Sequence, residues 1–168
     1  INYDITSAPV HLDPYQSPSA FVQGRVMHVY SQLVRRDPAV ECGQFCDKIV
    51  PDLAESWKVS PDGKEFTFNL RKGVKWHNVP PLNGRELTSA DIKFSVERWK
   101  TEPLNTWNFW FKDLVAVETP DKYTAVLKFS QPQAELLEDL SLDRMWIVPQ
   151  EVVASDSNVR QRAIGTGP

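Results

Sequence analysis

The sequence predicts an α+β fold with mostly antiparallel sheet and flanking helices. Three observations predict it. Two segments, Glu65–Leu70 and Ala125–Phe129, alternate apolar and polar residues with the period of a half-buried strand. Each is joined to another strand-like run by a tight turn bearing Pro and Asp, which suits hairpins and not the long crossovers of a parallel sheet. Stretches with helical apolar spacing lie between these hairpins, and hairpins interrupted by helices indicate α+β.

Taken in order, Asn2–Ile5 fit a short strand, followed by an extended stretch bounded by Pro9 and Pro18. Ser19 is the expected N-cap of a first helix, in which Val22, Val26, Val29 and Leu33 recur at i, i+4, i+7 and i+11 as one apolar stripe. His28 on this helix reads as a packed or solvated residue, not a ligand. Arg35–Pro51 is polar and reads as a loop. Trp57-Lys58-Val59 then leads through Ser60-Pro61-Asp62-Gly63 into Lys64–Leu70. Pro presets φ, Asp bonds its own backbone and Gly accepts positive φ, so a hairpin forms there, with Phe66, Phe68 and Leu70 facing inward. Lys72-Gly73 punctuates, and Val74 and Trp76 resume the alternation, which extends the hairpin into a meander.

A loop at His77–Gly84 leads to a second helix. Thr88 is its expected N-cap, with Asp91 three residues on in a capping-box arrangement that also complements the helix dipole. Ile92, Val96 and Trp99 line one face of it. A second hairpin follows, with Val115 and Val117, a turn at Thr119-Pro120-Asp121-Lys122, and Ala125, Leu127 and Phe129. A short helix around Glu135–Leu140, a strand near Met145–Val148, and Pro149 in the first turn of a further helix complete the pattern.

Composition excludes several classes. With 41% hydrophobic residues the chain is too apolar for disorder, and no apolar run approaches the roughly 20 residues of a membrane helix. Nineteen Lys plus Arg against 22 Asp plus Glu give a net charge of −3, and no basic cluster is present, which argues against nucleic acid as a partner. The first residue is Ile1 and the last are Gly165-Thr166-Gly167-Pro168, so the expectation is a fragment, cut just before a further strand, whose signal peptide is absent.

Motifs of catalysis are missing: there is no nucleophile elbow, phosphate-binding loop, dinucleotide fingerprint or His-Glu-x-x-His. A pair such as Glu135 and Glu138 would be needed for glycoside hydrolysis, but nothing selects it among 22 acids, so no enzyme is expected. Cys42 and Cys46 form a Cys-x-x-x-Cys. A small disulfide pinning a surface loop in an oxidising compartment is the preferred reading, with a metal half-site, a redox pair or two free thiols as alternatives. A zinc site needs four ligands, and His11, His28 and His77 offer no matching spacing, so no metal or other cofactor is expected. Trp57, Trp76 and Trp99 sit in phase with apolar stripes and read as core. Trp107 and Trp110, in Trp107-Asn108-Phe109-Trp110-Phe111, cluster in a loop and either pack or meet a ligand.

Several segments resemble one family. Leu53-Ala54-Glu55-Ser56-Trp57, Ser60-Pro61-Asp62-Gly63-Lys64, Phe66-Thr67-Phe68 and Leu70-Arg71-Lys72-Gly73-Val74-Lys75-Trp76-His77 carry the resemblance. It continues through Pro81–Ile92 and Phe94–Arg98, with Leu12-Asp13-Pro14 before them and Val148-Pro149 and Gly165-Thr166-Gly167-Pro168 after. Together they resemble the family 5 extracellular solute-binding proteins, the dipeptide, oligopeptide and nickel-type receptors of ABC importers. The Cys42–Cys46 loop and the long Asn78–Gly84 loop depart from the family pattern.

The resemblance implies a periplasmic-binding-protein type II-like fold, of which this is the N-terminal part: two lobes gripping ligand around a hinge, with an extra domain on the first. Residues 1–45 would open lobe I, 46–156 would form the extra α+β domain, and 157–168 would return into lobe I. Gln16, Ser17, Ser19, Gly165 and Thr166 are the ligand-facing candidates. The implied function is capture of peptides or a related solute outside the cytoplasmic membrane, in the periplasm or as a cell-surface lipoprotein, by a monomer that delivers it to a permease. The alternative is a stand-alone carbohydrate-binding or interaction module using Trp107 and Trp110.

Overall fold

The computed structural model describes residues 12–16, 20–37, 48–154 and 162–167. The expected strand at Asn2–Ile5, the cap Ser19 and the Cys42/Cys46 pair lie outside these residues. Along the chain come helix α1 (Ala20–Val26), strands β1 (Val34–Arg36), β2 (Ile49–Pro51), β3 (Ala54–Val59) and β4 (Glu65–Leu70), and helix α2 (Ser89–Thr101). A 3₁₀ turn (Asn108–Phe111), strands β5 (Leu114–Asp121) and β6 (Thr124–Phe129), and helices α3 (Leu136–Leu140) and α4 (Gln150–Ala154) follow.

The hairpin of β3 and β4 forms as its turn chemistry dictates. Gly63 adopts φ of 67° and donates its N–H to the Ser60 carbonyl at 2.9 Å, while Asp62 accepts from the Ser60 hydroxyl at 2.6 Å. Phe66, Phe68 and Leu70 are buried as the alternation requires. The expected meander does not form. The second neighbour of β4 is β6, and the four-stranded antiparallel sheet runs in the order β3-β4-β6-β5. In that register Phe66 lies opposite Leu127 and Phe68 opposite Ala125, so the buried faces of the two hairpins coincide. The Val74–Trp76 run leaves the sheet, keeping a single bridge between Lys75 and Glu86.

The second hairpin turns later than the Thr119–Lys122 expectation. The ladder continues to Asp121 opposite Thr124, and the Tyr123 N–H donates to Asp121 Oδ1 at 2.7 Å across the turn. A register shift between Leu114 and Ala116 interrupts the strand; Val115 is 68% exposed while Val117 is buried. Helix α2 starts where its cap predicts: the Thr88 N–H donates to Asp91 Oδ2 at 2.9 Å. Ile92, Val96 and Trp99 bury its apolar face, and the helix packs on β5 and β6.

Three expectations near the first helix fail for a common reason. The stripe from Val22 to Leu33 predicted one long helix, yet α1 ends at Val26. Backbone groups that would continue it bond elsewhere: the Val29 carbonyl accepts from Gly167 N–H at 2.8 Å, Gln32 N–H donates to Asp52 Oδ2 at 2.9 Å, and the Leu33 carbonyl accepts from Ala54 N–H at 2.9 Å. The Arg35–Pro51 loop in fact contributes the short β1–β2 ladder, with Val34 opposite Pro51 and Arg36 opposite Ile49. Met145–Val148 is buried but is no strand. Ile147 N–H donates to the Ser31 carbonyl at 2.9 Å, and Ser95 Oγ accepts the Val148 N–H at 3.0 Å while donating to the Val148 carbonyl at 3.1 Å. Distant partners decided each case.

One apolar core runs from Tyr15, Val26 and Leu33 through Phe68, Trp76 and Trp99 to Ile147 and Ile164. Trp76 and Trp99 are buried and Trp57 packs half-buried on the core, as expected. Within it sits an ion pair. The Arg98 guanidinium of α2 forks onto Asp13, at 3.2 Å to Oδ1 and 2.5 Å to Oδ2, with side-chain exposures of 8% and 0%. Arg98 also reaches Glu102 at 3.1 Å and lies 4.6 Å above the Tyr15 ring. Asp13→Asn is expected to lower stability by about 3–5 kcal/mol, because a buried guanidinium loses the carboxylate it forks onto and keeps Glu102 alone. Urea unfolding followed by circular dichroism reads the effect, and an unchanged midpoint would show that the pair does not hold the fold.

Candidate functional site

Residues 162–167 return across the chain between α1 and β1, and backbone bonds fix the crossing. His77 N–H donates to the Gly165 carbonyl at 3.0 Å, and Gly167 N–H donates to the Val29 carbonyl at 2.8 Å. The Gly167 carbonyl accepts from His77 Nε2 at 2.9 Å; a carbonyl can only accept, which places the imidazole proton on Nε2. The Thr166 hydroxyl meets Ser31 Oγ at 2.9 Å.

Close approach explains the glycines. A Cβ at Gly165 would stand 1.9 Å from the Val29 carbonyl oxygen, and one at Gly167 would stand 2.7 Å from the His28 carbonyl oxygen. Gly165 is accordingly buried against the chain, while Thr166 is half-buried.

Beside the crossing opens a cavity of about 610 Å³, whose walls include His28, Ser31, Arg35, Asp52, Trp146 and Gly167. A second cavity, of about 260 Å³, shares Met27 and Asp143 with it and adds Gln23, Gly24 and Arg144. Together they make a trough along α1 with groups of both charge signs. Burial holds the Asp52 carboxyl above its ordinary range, partly offset by the Gln32 N–H bond and by Arg35 and Arg71. The floor is rigid: Trp146 Nε1–H donates to Gln23 Oε1 at 2.8 Å, Gln23 Nε2 donates to the Pro14 carbonyl at 2.9 Å, and the Tyr15 hydroxyl donates to the Trp146 carbonyl.

The structure therefore brings Gly165 and Thr166 together over 28–31, but neither lines either cavity; of the returning segment, Gly167 does. Gln16 closes the turn at 14–16 and is half-buried, outside the walls of both cavities. Ser17 and Ser19 lie outside the described residues. Sequence reasoning missed the supports, Ser31, His77 and Trp146. His77 was visible within the Trp76-His77 motif, but its partners are some ninety positions away and carry no local signal.

Trp107 and Trp110 stack on one another, with centroids 4.9 Å apart and planes at 28°, and Arg144 lies 4.2 Å above Trp107. They are half-buried. Rings spent on each other do not lie side by side as a flat sugar platform. Among the described residues no group of three His, Cys, Asp or Glu is placed to hold a metal ion.

Residues 48–168 match the family described as bacterial extracellular solute-binding proteins, family 5 Middle. The chain belongs to that family. Among its family 5 relatives, the dipeptide-binding protein of Escherichia coli (strain K12) is 33% identical over 144 residues, covering 72% of this chain and 26% of the relative. Heme-binding protein A of Haemophilus influenzae is 30% identical over 171 residues, covering 90% of this chain and 31% of the relative. The binding protein AgaA of A. tumefaciens R10, solved in complex with agropinic acid, superposes with a TM-score of 0.81 at 32% identity, over 96% of this chain and 31% of AgaA. The periplasmic binding protein DppA of Helicobacter pylori, solved with the peptide STSA, gives 0.78 at 25%, over 94% of this chain and 33% of DppA. The family 5 resemblance and the periplasmic-binding-protein fold are thus both established, and the chain spans about a third or less of these relatives.

Gly165→Ala is expected to destabilise the chain by at least about 1–3 kcal/mol, since the new methyl meets a backbone carbonyl that cannot swing away. Gly24→Ala, in α1 with no atom near the added methyl, is expected to stabilise by up to about 1 kcal/mol. Equilibrium denaturation of the two variants side by side checks the contrast; equal effects would refute the close-packing account.

Proposed function

We propose that this chain is part of the substrate-binding component of an ABC importer, which captures a peptide or a related small solute outside the cytoplasmic membrane and hands it to the permease. Membership of family 5 is the observation that carries this reading. In it, residues 1–45 and 157–168 belong to lobe I and 46–156 to an extra α+β domain. The protein works without catalysis, as a monomer without a cofactor, and needs no nucleic-acid partner.

The trough along α1 is one wall of the solute cleft in this reading. Arg35, Arg36 and Arg144 beside Asp52 and Asp143 offer partners for both ends of a zwitterion, and Ser31 and Thr166 add neutral hydrogen bonds. Gln16, Ser17 and Ser19 remain candidate solute contacts in this reading, and Gly165 holds the returning chain by close packing. A second lobe closing on this wall would bury the solute, with water bridging varied side chains. The relatives named above carry dipeptide, haem and agropinic acid in their descriptions, so the framework accommodates several chemistries.

Isothermal titration of the receptor as its gene encodes it, with dipeptides to pentapeptides and then haem, tests the proposal. One of these classes is expected to bind saturably. The 168-residue chain alone is expected to bind them far more weakly, since it supplies one wall. Tight binding by the chain alone would overturn the cleft assignment, and no saturable binding of any small solute by the receptor would overturn the function.

A further inference from the structure

A second concave surface lies elsewhere and shares no lining residue with the trough. A cavity of about 290 Å³ is lined by Phe109, Trp110, Asp113, Glu135 and Asp139 among others, and another of about 310 Å³ by Val59, Phe66 and Leu137. The two share Pro132, Gln133 and Ala134 and so form one groove. Its middle is fixed, because Gln133 N–H donates to the Gly63 carbonyl at 2.9 Å and Ser130 N–H to the Asp113 carbonyl at 2.8 Å.

Two features mark the groove as a surface awaiting a partner. Its ends carry large apolar side chains in contact with water, Phe109 at 53% exposure and Val59 at 44%. Its charge is one-sided. Asp113, Glu135 and Asp139 line it against one ammonium, Lys112, and among the described residues neither Glu135 nor Asp139 has a cation within ion-pair distance.

We propose that this groove docks a basic segment of a partner protein, whose Lys or Arg side chains meet Glu135 and Asp139 while apolar side chains between them pack on Phe109, Trp110 and Pro132. Charge complementarity selects this occupant, since an acidic or purely apolar chain would leave the carboxylates desolvated without counter-charge. Burial and the neighbouring Glu135 and Glu138 lift the Asp139 carboxyl to about 6, a position that a docked cation would relieve. With its folded-state value raised above the unfolded one, ionised Asp139 opposes folding as pH rises through about 6. Asp139→Asn is therefore expected to stay folded at neutral pH.

Fluorescence anisotropy with a fluorescein-labelled, end-capped nonapeptide alternating Lys with Leu and Pro tests the proposal on this chain, with an Asp-for-Lys peptide as control. Saturable binding of the Lys peptide alone is expected, weakening with added salt. Phe109→Ala and the double variant Glu135→Gln/Asp139→Asn are each expected to weaken it at least about tenfold, with circular dichroism verifying their folds. Glu97→Gln, on the solvent face of α2, is expected to change nothing. Absence of binding, or binding that ignores the groove variants, overturns the proposal. Sedimentation showing a dimer that Phe109→Ala dissolves also overturns it, in favour of a second copy as the occupant.

Discussion

The Asp13–Arg98 ion pair is the interaction on which the arrangement of the remaining elements depends. It joins the start of the described chain to the helix that rests on the central sheet, across 85 positions of sequence. From Asp13 the constraint passes along a short ring of bonds. Asp13 Oδ1 accepts the Tyr15 N–H at 3.0 Å, the Tyr15 hydroxyl reaches the Trp146 carbonyl, the Trp146 indole reaches Gln23, and Gln23 returns to the Pro14 carbonyl. Helix α1, short and unable to hold itself, is suspended from that ring. A buried pair of this kind is weak evidence for net stability, because desolvation offsets much of the attraction. Its effect here is positional. Any other placement of the 12–16 turn would leave a guanidinium and a carboxylate buried apart.

Arg85 plays a comparable part at the other end of α2. Its fork takes both oxygens of Asp91, at 2.6 and 2.9 Å, and also bonds Glu151 at 2.6 and 2.8 Å, tying α4 to the cap of α2. Asp91 thus serves two ends, the Thr88 N–H and Arg85. The carboxylates of Asp91 and Glu151 raise the Arg85 pKa, and the Arg85 guanidinium in turn holds the Glu151 carboxyl below its ordinary range. The two guanidinium clamps hold α2 by its first and last turns.

These clamps make the trough a property of the whole fold. Trp146, Gln23 and Ser31 keep their places because segments far apart in sequence bond to one another, and the glycines at 165 and 167 let backbone lie directly on backbone. The acidic groove is built differently. It lies between the Ser60–Gly63 turn, the 3₁₀ turn at Asn108–Phe111 and the start of α3, where Phe109 and Val59 remain exposed.

The sequence by itself determined the elements whose causes are local. Ser60-Pro61-Asp62-Gly63 specifies a turn, Phe66, Phe68 and Leu70 specify a strand face, and Thr88 with Asp91 specifies where α2 begins. The family was legible as well, since its motifs are spread along the chain. Tertiary structure alone decided the strand order, the early end of α1, the β1–β2 ladder and the extended Met145–Val148 segment. In each case backbone groups bonded to partners beyond their own segment, from 13 positions away in the β1–β2 ladder to well over a hundred, and such pairing leaves no periodicity to read. The site divided in the same way. Gly165 and Thr166 were visible as residues, but the trough beside them exists only because His77, Val29 and Ser31 hold the returning chain against α1.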